Sequence, residues 1–362
     1  MINKKVALYA YGSDTLYLRH IDLDKVERFT AGELDNFLNS ACEVKIASIE
    51  LNYDSYETSA EEISRLVDCQ MIIIKSMECY DRVYDFLQQF DLPNILYVIN
   101  GVLNTPLKQA TIVPSFPWIY STAFPYLNGL NHILCDKVSA FKSKPYFFEM
   151  IYGKPRIHRN FIKERLLEFK DTDYFLESPN YGQKSNVRNP KFNFKDDLFW
   201  EDGIALSDDQ SDRCTYMNVP VTTWGQVLPL KVYAQSAYSL ISETSCDNRF
   251  SFITEKIAKP IIACRLFIVI SGQYYLRNLR SLGFKTFDGI IDESYDDIED
   301  NTTRWSMALD QAVKLCNMDQ EEVLQKIAPI VLHNYSILAQ LNTEAVNQQV
   351  ELALIKNKCF KE

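Results

Sequence analysis

Short apolar runs alternate along the first 140 residues with stretches in which apolar positions recur every third or fourth residue. Lys5 to Tyr11, Glu43 to Leu51, Gln70 to Lys75 and Asn94 to Asn100 are such runs and read as buried strands. Ser59 to Val67, with Ser59 as cap and Glu62 three residues on, reads as an amphipathic helix, and so does Asp81 to Phe90. Trp118 to Phe124 and His132 to Lys137 are taken as the last strands of this half, and Ser139 to Lys144 as a linker. Strands and helices in this rhythm predict a parallel, doubly wound sheet.

The rhythm then restarts. Pro145 to Ile151 reads as a strand, Arg159 to Phe169 as a helix and Thr172 to Glu177 as a strand. Tyr181 to Leu228 is polar and aromatic without a clear period, as in an insertion or a loop lining a cleft. Ala237 to Ile241 is a strand ending at Glu243, Thr254-Glu255-Lys256 opens a helix, and Leu266 to Ile270 is a strand closing on Ser271-Gly272. That succession is a βαβ unit. After Tyr295 the period turns helical over Asp300 to Asn317, Gln320 to Leu341 and Thr343 to Lys358. The pattern predicts an α/β protein of two Rossmann-like domains, 1–140 and 141–300, with helices at 301–362 packing back across them.

Composition narrows the choice. A chain of 362 residues with 47% hydrophobic residues exceeds one ordinary core. Its net charge of −10 argues against a surface coated in phosphate-binding lysines, though not against a local basic groove. MINKKVALYAYG lacks the apolar core of a signal peptide, and the run Ile261 to Ile270 is too short to span a bilayer and contains Arg265. Nine cysteines without a CxxC pair and four histidines make no zinc pattern, and the odd count suits a reducing compartment. A cytoplasmic protein without a membrane span is expected, with Cys264 as a small buried hydrophobe. Gly12, Gly101 and Gly153 build no GxGxxG or P-loop, and no serine sits on a nucleophile elbow.

Candidate chemistry gathers between Ser242 and Asp297. In open sheets ligands collect where strands end and helices begin. A helix start offers unpaired N–H groups and a partial positive charge, and Lys256 adds a full one, so a phosphate-bearing ligand is expected at Thr254 to Lys256. Each residue also has a plain reading. Lys256 can be a solvated helix-face lysine, Glu255 a complement to the helix dipole, and Arg159 a partner of Glu164 or Glu168. The acidic run Asp292 to Asp300 offers hard oxygen ligands for a metal, or a polar turn leading into a helix; the turn is preferred and no metal site is assigned.

Glu243-Thr244-Ser245, Phe252-Ile253-Thr254-Glu255-Lys256 and the strand closing on Ser271-Gly272 together resemble the donor-binding signature of the α1,3/4-fucosyltransferase family. Lys144 to Ile151, Arg159 and the helix from Phe161 to Leu167 are similar to the strand, loop and arginine that open the nucleotide-binding half of those enzymes. The wider run through YLRNLRSLGFKTFDGIIDESYDDI resembles phage-encoded glycosyltransferase-like proteins. The resemblance covers roughly the second half of the chain. It implies a GT-B glycosyltransferase with a nucleotide-diphosphate sugar as donor and no metal or other cofactor. Arg159 and Lys256 would then meet the diphosphate charge that develops as the glycosidic bond breaks. Glu255 would accept hydrogen bonds from sugar or ribose hydroxyls and join the catalytic group, Phe252 would lie near the base, and Glu243 with Thr244 would orient the loop or hold a hydroxyl. An inverting transfer needs a base for the acceptor hydroxyl, and Asp14 or Glu78, each just past a strand of the first half, is the candidate, each also explicable as a turn former or cap. The acceptor would be a glycan or a hydroxymethylated base of phage DNA, the latter served by a basic, aromatic lip at Lys184 to Lys195 that reads equally as an exposed loop. A catalytically inactive nucleotide- or glycan-binding protein of the same fold is the alternative, and an assembly protein whose terminal helices form an interface is a third.

Overall fold

A computed structural model of the chain describes residues 5–11, 25–51, 56–76, 81–91, 94–108, 110–128, 138–150, 156–167, 175–177, 204–206, 214–216, 219–221, 228–340, 348–350, 352 and 355. The chain forms two compact units, Met1–Ser115 with Asn342–Glu362, and Phe116–Leu341.

The first unit is built on β1 (Val6–Tyr11), β2 (Val26–Thr30), β3 (Val44–Leu51), β4 (Met71–Ser76), β5 (Ile95–Asn100) and β6 (Thr111–Ser115), all parallel, in the order β2-β1-β3-β4-β5-β6. The connecting helices are α1 (Leu34–Leu38), α2 (Tyr56–Arg65) and α3 (Asp81–Leu87). The expected mixed α/β fold with a large parallel sheet is present. Strands β4 and β5 are buried at every position, as strands covered on both faces must be. Alternate residues Val6 and Leu8, Val44 and Ile46, Met71 and Ile73, Leu96 and Val98, with Val113, form one apolar face, which Val350 covers.

Four local readings change here. The edge strands β2 and β6 give weak signals because VERFT carries charges and TIVPS a proline, both tolerated only at an edge. Helix α2 starts at Tyr56, so Ser59 and Glu62 lie inside it, and Glu62 instead accepts a hydrogen bond from the Tyr9 hydroxyl at 3.0 Å. Trp118 to Phe124 is not a strand but part of α4 (Pro117–Asn128). Its buried Ile119, Thr122, Ala123 and Tyr126 fall at helical spacing, and Pro117 takes the first helical position, where its missing N–H costs nothing. Finally, Cys264 is half-buried rather than core. The segment His132 to Lys137 lies outside the described residues.

The second unit carries β7 (Tyr146–Met150), β8 (Phe175–Glu177), β9 (Ser236–Ser242) and β10 (Phe267–Ile270), parallel, in the order β10-β9-β7-β8. Helices α5 (Ile157–Leu167), α6 (Leu230–Gln235), α7 (Glu255–Ile262), α8 (Tyr275–Ser281), α9 (Asn301–Cys316) and α10 (Gln320–Gln340) join α4. Since β7-α5-β8 and β9-α7-β10 advance in opposite directions, right-handed crossovers put α5 and α7 on opposite faces. Accordingly α9 packs on α5, β7 and β10, while α4 and α10 pack on α7. Within the Tyr181 to Leu228 stretch, Ile204–Leu206, Cys214–Tyr216 and Val219–Val221 pair as a small antiparallel sheet. No helix among the described residues is long and apolar enough to cross a membrane.

Helix α7 continues through Pro260 and stops at a paired C-terminal turn. Cys264 N–H reaches Ile261 O at 3.2 Å and Arg265 N–H reaches Pro260 O at 2.9 Å, with Cys264 left-handed at φ 52°. Arg265 then runs beneath β9, donating to the Tyr233, Ser236 and Tyr238 carbonyls and to the Ser236 and Ser239 hydroxyls, with its guanidinium 4.3 Å from the Tyr233 ring centroid. The one charge in the apolar run is thus a clamp on the start of the central strand.

Candidate functional site

The order of the second sheet reverses between β7 and β9, and at such a switch point the connections leave in opposite directions and open a crevice beyond the carboxyl ends. Strand β9 (SAYSLIS) is buried along its whole length. Polar side chains therefore gather where it ends, at Ser242, Glu243 and Thr244.

Glu243 is fully buried. Its backbone N–H completes the sheet by donating to Ile270 O at 3.1 Å. Its carboxylate accepts from the Tyr275 hydroxyl at 2.7 Å, the Thr254 hydroxyl at 2.7 Å and, more weakly, the N–H groups of Thr254 and Thr244 at 3.4 and 3.3 Å. Burial pushes this carboxyl above the usual range, against the pull of Lys256. These contacts lie within the protein and tie the end of β9 to the start of α7 and to Tyr275.

Thr254 is the N-cap of α7. Its hydroxyl donates to Glu243 and accepts from the Lys256 N–H at 3.3 Å and the Lys256 ammonium at 3.2 Å, which uses its one proton and both lone pairs. The Lys256 ammonium also donates to the Thr244 hydroxyl at 3.0 Å and to Glu255 at 2.9 Å. Lys256 is thus folded back over the first turn of α7, not extended along a solvated face. Burial works against the charge of Glu255, but Lys256 and Lys259 outweigh it and hold the carboxyl below its usual range. On Lys259 burial dominates and pulls the ammonium down to about 8.

Arg159 and His158 reach the same strand end from α5. Arg159, 3% exposed, donates to the Ser242 hydroxyl and carbonyl at 3.2 Å each and to the Glu243 carbonyl at 3.4 Å. His158 Nε2 lies 2.8 Å from the Glu243 carbonyl. A carbonyl only accepts, so this nitrogen carries the proton. Burial pulls the imidazole down to about 4, and the charges of Arg159, Arg156 and Lys256 act in the same direction, so the ring is neutral at pH 7.

Three further residues complete the arrangement, and sequence reasoning passed over them. Besides Tyr275, Trp305 packs against His158 with ring centroids 5.8 Å apart and donates to the Ser271 carbonyl at 3.3 Å, and Arg304 donates to the same carbonyl at 3.1 Å. Trp305 and Arg304 lie on the buried face of α9, far along the chain, and only packing shows what they touch. Gly272 has a visible reason for being glycine. A Cβ there would stand 2.2 Å from the Asp247 carbonyl oxygen, so the loop after Glu243 crosses directly over it.

Arg159, Glu243, Thr244, Thr254, Glu255 and Lys256 therefore come together at one strand end. Phe252 is buried in the core at 3% exposure. Asp14, Glu78 and the stretch Lys184 to Lys195 lie outside the described residues. The acidic run accepts hydrogen bonds from backbone and side chains of its own unit. Asp296 accepts from the N–H groups of Leu276 and Arg277 at the start of α8, Glu293 from Thr286, Phe287 and Arg280, and Asp300 caps α9 through Thr303. Chemically, the site offers cations and a capped helix start around a strand end, an arrangement suited to an anion. The chain matches no protein-family model and no curated protein.

Proposed function

We propose that this protein transfers a sugar from a nucleotide-diphosphate sugar to a hydroxyl acceptor, with its two units as the Rossmann-like domains of a GT-B enzyme. One observation carries the reading: Arg159 and Lys256, which arrive from different helices, share the Ser242–Thr244 strand end at the switch point of the second sheet. A leaving nucleoside diphosphate gains negative charge as the glycosidic bond breaks, and cations pre-set beside a helix N-terminus stabilise that charge without reorganising. Glu255, anchored by Lys256, is assigned to sugar or ribose hydroxyls. Asp14 or Glu78 is assigned to take the acceptor proton, and the acceptor is a glycan or a hydroxymethylated DNA base.

A second reading, a catalytically inactive nucleotide- or glycan-binding protein, draws on the burial of Arg159 and its bonds to backbone carbonyls, which suit a holding role as well as a reactive one. Thermal-shift measurements against nucleoside diphosphates and their sugars test both. Selective stabilisation with slow hydrolysis of one sugar nucleotide, abolished by Lys256→Ala, is the expected result. Tight binding without turnover in the presence of acceptor extracts selects the binding protein. Stabilisation by no nucleotide or sugar nucleotide overturns both.

A further inference from the structure

Two arginines stand three residues apart at the start of α5, and the structure treats them differently. Arg159 is almost wholly buried and clamps the end of β9 through the Ser242 and Glu243 carbonyls. Arg156 immediately precedes the helix, and its carbonyl accepts the Asn160 N–H at 2.9 Å, which fixes it at the first turn. Its side chain is half-buried, and its Nε, itself buried, has no hydrogen-bond partner among the described residues. A buried guanidinium N–H without an acceptor is costly because it has given up water for nothing, and native structures rarely leave one without a reason. Arg156 stands about one helical turn before Arg159, the arginine bound to the end of β9, and its positive charge also bears on the His158 ring. Glu243 and Glu255 are the carboxylates set against these cations, and both are already hydrogen-bonded within the site.

We propose that Arg156 is the arginine that touches the ligand's diphosphate, and that Arg159 is a positioning residue holding the strand end to which Lys256 is tied. The assignment rests on the nucleotide-sugar reading above. A phosphate oxygen supplies the acceptor that Arg156 Nε lacks, and a guanidinium presents further donors in the same plane for a two-point contact. Arg159 already commits its Nε and Nη2 to Ser242 and Glu243, so its charge adds to the field at the diphosphate while these donors hold the strand end.

The test uses the full-length chain and calorimetric titration with GDP, UDP, ADP, CDP and inorganic pyrophosphate. Arg156→Gln should weaken the nucleotide that binds wild type at least tenfold and leave the ligand-free melting temperature unchanged, while Arg156→Lys, which keeps the charge but not the planar fork, falls between. Arg159→Gln should lower the ligand-free melting temperature, and Arg159→Lys should restore part of it. If wild type binds a nucleotide and Arg156→Gln binds it equally well, the assignment of Arg156 is overturned and the nucleotide reading stands. If Arg156→Gln melts as low without ligand as Arg159→Gln, Arg156 is structural and the assignment is again overturned. Should wild type bind none of the five probes, the nucleotide reading fails and takes the proposal with it.

Discussion

Acidification should loosen the second unit through one imidazole. His158 is 5% exposed, donates to the Glu243 carbonyl at 2.8 Å and stands among Arg156, Arg159 and Lys256. Burial and these charges lower its pKa from 6.5 to about 4. The unfolded chain therefore takes up a proton near pH 6.5 that the folded chain refuses until about pH 4. Stability from this group is present above pH 6.5 and is lost as the pH falls toward 4. Linkage puts the loss at about 2 kcal/mol by pH 5 and about 3 kcal/mol by pH 4. His158→Gln keeps a donor for the carbonyl but cannot titrate. Its stability difference from wild type should therefore shrink by about 2 kcal/mol between pH 7 and pH 5. Glu243 titrates with the opposite sign, since its raised carboxyl pKa favours the folded state as pH falls, but it is common to both proteins and largely cancels. Urea unfolding followed by tryptophan fluorescence is the assay, because Trp118 and Trp305, the tryptophans among the described residues, lie in the second unit. A pH-independent difference, or a His158 ring that titrates near 6.5 by NMR, would refute the argument.

Two substitutions probe the loop and the cap. Gly272→Ala forces a methyl to within 2.2 Å of the Asp247 carbonyl oxygen, and either the loop or β10 must shift. A loss of roughly 1–3 kcal/mol in thermal or denaturant unfolding is expected, as for other overpacked sites, and wild-type stability would show that the loop gives way freely. Thr254→Ala removes the cap, worth about 1 kcal/mol, and a hydrogen bond to a buried carboxylate, worth about 1.5–3 kcal/mol. Thr254→Ser keeps both and should stay close to wild type in the same measurement; an equal loss in the serine variant would assign the effect to the methyl group.

Much of the architecture was legible in the chain because a parallel sheet covered on both faces needs continuous apolar strands, and MIIIKS or SAYSLIS permits little else. The start of α7 was legible for a similar reason: Thr254 is an N-cap that satisfies a free N–H, and that bond is local. Trp118 to Phe124 went astray because its aromatic and branched residues favour strands one by one, while the buried spacing that makes it a helix appears only across the whole segment. The edge strands were faint because edges tolerate charge and proline.

The roles within the site were decided by the fold. Local sequence marked Glu243, Thr254 and Lys256 as polar residues near a helix start. That Glu243 spends its carboxylate on Tyr275 and Thr254 depends on α8 returning to the end of β9. That Arg159 is a clamp while Arg156 Nε finds no acceptor among the described residues depends on which side of α5 faces the Ser242 and Glu243 carbonyls. Strand and helix propensities act over a few residues and survive in the sequence. Hydrogen bonds between residues some 80 positions apart exist only once sheet order has brought their elements together, so only the tertiary structure could assign them.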